Sequence, residues 1–181
     1  MNEEFWQLYD EGGQPIPGKG AVRQEVFKGL LHGASHVWIW RTTKTGREVL
    51  VQKRADTKQT WPGLYDISAA GHIDLGETPV EAAIRETKEE IGLDINSRDL
   101  KEIYVNHDTE QAPNGLIENE FRFVYIVQLT VNNDFELQEK EVSALDWIPL
   151  DDFESQTLAG NKYVPHGNEY FRTVIEAIQS S

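Results

Sequence analysis

The chain has 181 residues, a formal net charge of -14, no cysteine, 39% hydrophobic residues and 27% charged residues. That length suits one soluble globular domain with a core of its own, and the acidity argues against binding duplex nucleic acid. Without thiols there are no disulfides, zinc–thiolate centres or cysteine nucleophiles, and no stretch approaches the ~18 apolar residues of a membrane span.

In chain order, residues 5–9 (Phe-Trp-Gln-Leu-Tyr) predict a strand. Asp10, Gly12, Gly13, Pro15, Pro17 and Gly18 then predict turns, so residues 1–30 are expected to be a strand-and-turn extension. No basic and apolar leader follows Met1, so a cytoplasmic protein is expected. Residues 36–40 and 48–52 are β-branched and aromatic runs on either side of a polar turn, and residues 64–73 predict a third extended run. The clearest helix covers residues 79–91. Thr78 and Glu81 form a capping box with Pro79 in the first turn, and Gly92 supplies the stop. Its buried stripe is Val80, Ile84, Thr87 and Ile91. Strands are predicted at 100–104, 118–129 and 142–148, with a polar loop over 106–117, and helices near 150–158 and 169–179. Strands interleaved with helices predict a single α/β domain over residues 1–181.

Chemistry concentrates on the acidic helix. Glu86, Glu89 and Glu90 stand at i, i+3 and i+4, so their carboxylates crowd one face. Such a face repels itself unless cations occupy it, and hard divalent cations prefer carboxylate oxygens. Arg85 lies one turn from Glu81 and Glu89 and is expected to hold both. A solvated surface helix is the ordinary reading of a charge run, but this run sits in a longer pattern. From Gly71 the chain has five residues, Glu77, seven residues, then Arg85-Glu86-Thr87-Lys88-Glu89-Glu90-Ile91-Gly92-Leu93.

This pattern, residues 71–93, resembles the Nudix box of the Nudix hydrolase family. Only Thr87 departs, where the family carries an aliphatic residue; on the buried stripe its hydroxyl is expected to bond back to the preceding turn. The resemblance implies a mixed sheet between helices. It also implies Mg2+ or Mn2+ held by Glu86, Glu89 and Glu90, with a backbone carbonyl near Ala70-Gly71, for cleavage of a diphosphate P–O bond.

The flanking segments resemble the isopentenyl-diphosphate isomerase branch of that family: Leu31-His32, Arg54 with Lys58, Trp61 to Ser68 leading into Ala69-Ala70-Gly71-His72, and Glu118-Asn119-Glu120. This likeness implies metal ligands at His32, His72, Glu118 and Glu120, and diphosphate contacts at Arg54 and Lys58. The isomerase has a cysteine where this chain has Ala70, and alanine supplies no acid or base. The full Arg-Glu-x-x-Glu-Glu set therefore favours a hydrolase over an isomerase or a non-catalytic ligand-binding module.

The expected catalytic set is thus Glu86, Glu89, Glu120 and Arg85, with Arg54, Lys58, Trp61 and His32 toward the substrate. The expected metal ligands are Glu86, Glu89, Glu90, Glu120, His72 and Glu118. The expected partner is a small-molecule diphosphate, isoprenoid or nucleoside-derived, bound by a monomer or homodimer. His36 is expected to be a satisfied structural histidine, and Trp38, Trp40 and Trp147 to be core.

Overall fold

The structure, a computed structural model, describes residues 4–130 and 133–181. Strands β1 (Phe5–Tyr9) and β2 (Pro15–Val22) form an antiparallel hairpin, followed by the short helix α1 (Arg23–Val26). Strands β3 (His32–Thr43), β4 (Gly46–Arg54), β5 (Tyr65–Asp66) and β6 (Ala69–His72) precede helix α2 (Pro79–Ile91). After a 3-10 turn at Ser97–Asp99 come β7 (Lys101–Gln111), β8 (Ile117–Leu129) and β9 (Val142–Pro149). Helices α3 (Leu150–Ala159) and α4 (Asn168–Gln179) close the chain.

Two segments differ from the sequence expectation. The proline- and glycine-rich run after Tyr9 is strand β2, not only turn. It lies at the sheet edge, where a missing N–H is tolerated. The polar residues from Asn106 onward continue β7 and pair with β8 as far as Gln111 and Ile117, so the connection shrinks to residues 112–116. That end of β7 is exposed or half-buried, so it lacks the apolar run that marks a buried strand. The third extended run divides into β5 and β6. Between them, Ser68 Oγ donates to the Leu50 carbonyl at 2.6 Å and accepts from the Ile39 N–H at 2.8 Å.

Strand β3 is central and buried from His32 to Trp40. It pairs antiparallel with β1, β4 and β6 and parallel with β8, so the sheet is mixed. Its neighbour changes along its length: β6 opposes residues 34–37, and β4 opposes residues 40–43. Side chains alternate across the sheet. Trp38, Trp40, Val124 and Ile126 pack beneath α3 and α4 with Phe153, Tyr170 and Phe171. Val37, Ile39, Tyr125 and Val127 face α2 with Ala83 and Ile91. The result is the expected sheet between helices. Trp38 and Trp40 are core, while Trp147 is half-buried under the Arg41 guanidinium, 4.0 Å above its ring.

The α2 caps form as expected. Thr78 and Glu81 complete the capping box, and Gly92 adopts φ 73°. Thr87 is fully buried, and its Oγ1 donates to the Ala83 carbonyl at 2.7 Å. Among the described residues, no helix is long and apolar enough to cross a membrane.

Candidate active site

Alternation along β3 puts His32, Ala34 and His36 on one face of the sheet. Register places Glu120 of β8 beside His32, and His72 of β6 beside Ala34. Ala34, His36, His72 and Glu120 line a cleft of about 260 Å³ whose other wall is the carboxylate face of α2, and His32 is buried beside Glu120. His32 Nδ1 is 3.0 Å from the Leu30 carbonyl, which fixes the tautomer that donates from Nδ1 and leaves a lone pair on Nε2. That Nε2 is buried without a hydrogen-bond partner among the described residues. It lies 3.5 Å from Glu120 Oε1, and His72 Nε2 lies 3.6 Å from the same oxygen. The three ligating atoms fall within 4.8 Å of one another.

Neighbouring side chains hold this group in place. Trp6 of β1 stacks on His72, with centroids 3.5 Å apart and planes 8° apart. Burial and the neighbouring His32 push His72 well below the usual imidazole range, so it is a neutral donor of its lone pair. Burial alone would raise Glu120, but the facing His32 and the Arg122 guanidinium hold it well below the carboxylate range. Arg122 is itself buried, donating from Nε to Glu120 Oε2 at 3.1 Å and from Nη1 to Asp108 Oδ2 at 2.6 Å.

On the opposite wall, Glu86 lies over Gly71, where a β-carbon would overlap its carboxyl. Arg85 fans across the helix: it donates twice to Glu77, at 2.9 and 2.8 Å, to Glu86 Oε1 at 2.6 Å and to Glu89 Oε2 at 3.3 Å. It also donates to the His72 carbonyl at 2.9 Å. The expected Arg85–Glu81 contact does not form, because Glu81 is committed to the Thr78 cap. Glu90 is buried, and its Oε2 accepts from the Ala70 N–H at 3.0 Å and from Gln52 Nε2 at 3.2 Å. Glu89 has a side chain 54% exposed and is the least constrained of the three. Burial pushes Glu86 up to about 7 and, with the neighbouring Glu86 charge, Glu90 up to about 8. Both charges therefore call for a cation.

The expected substrate cations differ from each other. Lys58 pairs with Glu141 at the cleft wall. Arg54 is largely spent on the protein: it donates to Asp66 Oδ2 at 2.8 Å and three times to Thr60. Glu118 lines the cleft but stands outside the His32–His72–Glu120 group, beside Thr60 and Arg54, and burial raises it. Trp61 lines the cleft with φ 48°, an unusual backbone for a bulky residue. His36 accepts or donates at Nδ1 with the Tyr170 hydroxyl at 2.8 Å, and burial pushes it down to about 3, so it is a neutral, bonded histidine as expected.

Sequence reasoning missed Arg122, Asp108, Gln52, Asp66, His166 and Glu141. Only Arg122 carried a signal, since it stands two residues after Glu120 on the same strand face. Asp66, His166 and Glu141 reach the cleft from segments distant in sequence, while Gln52 bonds to Glu90 and Asp108 pairs with Arg122.

The sequence pattern described as the NUDIX domain matches residues 32–166. The chain belongs to the Nudix family. Among its Nudix relatives, Nudix hydrolase 3 of Arabidopsis thaliana is 36% identical over 84% of this chain, which spans 20% of that longer protein. Isopentenyl-diphosphate Delta-isomerase of Salmonella arizonae is 31% identical over 84% of this chain and 80% of its own length. The Nudix fold recurs in DR0079 from Deinococcus radiodurans, with a TM-score of 0.70 and 18% identity over 93% of this chain and 98% of that one.

Proposed function

We propose that this Nudix chain is a divalent-metal-dependent hydrolase that cleaves the diphosphate bond of a small organic diphosphate. One observation carries the reading: His72 and Glu120, which converge with the buried His32, line the same cleft as the helix carboxylates Glu86, Glu89 and Glu90.

The donor set fits metal ions. Two ligands ~2.1 Å from one ion at roughly right to tetrahedral angles lie ~3.0–3.4 Å apart, near the 3.5 and 3.6 Å separations at Glu120 Oε1. His32 Nε2 has no hydrogen-bond partner among the described residues, so its lone pair is available to an ion. The helix carboxylates suit Mg2+ or Mn2+, and the two imidazoles favour a borderline ion. When bound, such ions neutralise the diphosphate and acidify a water.

This chain's own residues do the rest. Arg85 orients Glu86 and Glu89, and the Ala70 N–H fixes Glu90. Glu89 is the carboxylate free to accept a proton from an attacking water. Lys58 supplies positive charge at the cleft for the phosphates, while Arg54 acts through Asp66 and Thr60. Ala70, at the position of the isomerase cysteine, presents only a methyl group, which supports hydrolysis over isomerisation. The reading takes residues 1–181 as one unit, because Trp6, outside the matched segment, covers His72.

Incubation with a panel of isoprenoid and nucleoside-derived diphosphates in Mg2+ or Mn2+ should release phosphate or phosphomonoester product, and EDTA should stop it. Folded protein that turns over no member of the panel would sink the proposal.

A further inference from the structure

The far end of the cleft contains a second polar arrangement that metal binding does not use. Asp66 is buried. Its Oδ2 accepts from Arg54 at 2.8 Å, and its Oδ1 accepts from the Ile67 N–H at 2.9 Å and from His166 Nε2 at 2.8 Å. An ionised Asp66 therefore holds the His166 tautomer with its proton on Nε2. The other nitrogen, Nδ1, is buried and has no hydrogen-bond partner among the described residues, in a ring only 8% exposed that lines the cleft. The indole Nε1 of Trp61, also lining the cleft, is likewise buried and unpartnered.

His166 packs on His36, ring centroids 5.5 Å apart. His36 lies four residues from His32 on the same strand face, about 13 Å along it. The pair thus sits away from the metal-ligating group, where the organic part of a ligand would lie. A lone-pair acceptor and an N–H donor lining one cleft are each satisfied by hydroxyls, which donate and accept; a hydrocarbon satisfies neither.

We propose that the Asp66–His166 pair, with Trp61, is the recognition site for the organic portion of the substrate, and that it selects diphosphates carrying hydroxyl groups over isoprenoid hydrocarbon diphosphates. The inference rests on the diphosphate reading above and narrows it. Sites built to hydrogen-bond a substrate hydroxyl reject analogues lacking it far more strongly than apolar pockets reject extra groups.

Calorimetric titration of the full chain in Mg2+ with UDP-glucose and with isopentenyl diphosphate tests it. UDP-glucose should bind at least about tenfold tighter. His166→Phe should weaken UDP-glucose at least about tenfold and leave isopentenyl diphosphate within about twofold, and His166→Gln should retain part of the preference. The imidazole 15N resonances of His166 give a readout independent of any variant: Nδ1 should shift with UDP-glucose and stay in place with isopentenyl diphosphate. Equal or reversed affinities, equal loss of both ligands in His166→Phe, an unmoved Nδ1 resonance, or binding of neither ligand would overturn the inference. Selective binding without phosphate release would instead overturn the hydrolase reading and leave this one standing.

Discussion

A β-carbon at position 71 would occupy the space of the Glu86 carboxyl, so glycine is required there by close approach. Gly71→Ala should push Glu86 off its position and lower kcat by about 100-fold, the order expected for an ångström-scale misplacement. Steady-state kinetics on protein with wild-type circular dichroism would check this; wild-type kcat would contradict it. Arg122 makes the complementary case. It is 1% exposed and its partners are two carboxylates, one of them the buried Glu120. Arg122→Ala strands a buried charge and should cost about 3–5 kcal/mol in urea unfolding. A loss below about 1 kcal/mol would mean that Glu120 is relieved some other way. Glu86, Glu89 and Glu90 were legible from spacing alone. Asp66 and His166 were not, because nothing in a sequence links two residues 100 positions apart whose side chains meet at 2.8 Å.

At the scale of elements, α2 does two jobs on two faces. Ala83, Thr87 and Ile91 pack on the sheet, while Glu86 and Glu89 face the cleft and Glu90 enters it from a buried position. The change of partner along β3, from β6 to β4, lets Gln52 and Ala70 reach the same Glu90 oxygen. Thr87 is the one departure from the family pattern in this helix, and its hydroxyl spends its proton on a carbonyl of the preceding turn. Thr87→Val removes that bond without leaving a polar group stranded, so stability should stay within about 1 kcal/mol by urea unfolding. A loss of 2 kcal/mol or more would show that the hydroxyl is structural. The far half of β7, from Asn106 to Gln111, was the least legible segment. It carries polar, exposed or half-buried residues, so hydrophobic periodicity is silent there, whereas the buried apolar run of β8 was legible.

For the whole molecule, the dominant fact is negative charge: -14 overall, with several carboxylates gathered in one cleft. Glu86 and Glu90 are raised from 4.5 to about 7 and about 8. A raised carboxylate contributes its stability below the unfolded value, and that contribution is lost as pH rises through the folded value. His36 and His72 are lowered from 6.5 and pull the other way only as pH falls below that value. The effect is therefore read above neutrality. Without divalent cations, Tm should fall between about pH 7 and 8.5; with Mg2+ or Mn2+, which bind the ionised carboxylates, the fall should shrink and Tm should rise. Differential scanning fluorimetry in EDTA and in metal would test this, and parallel curves would refute it. The sequence by itself determined the acidic helix, its caps, its Thr87 exception and the Nudix membership, because these are local patterns of spacing and residue type. Only the tertiary structure decided that His32, His72 and Glu120 converge, that Arg54 is committed to Asp66 and Thr60, and that His166 leaves an unpartnered nitrogen in the cleft. Those facts depend on strand register and on the return of the chain before α4, which bring distant residues within hydrogen-bond range and leave no trace in local spacing.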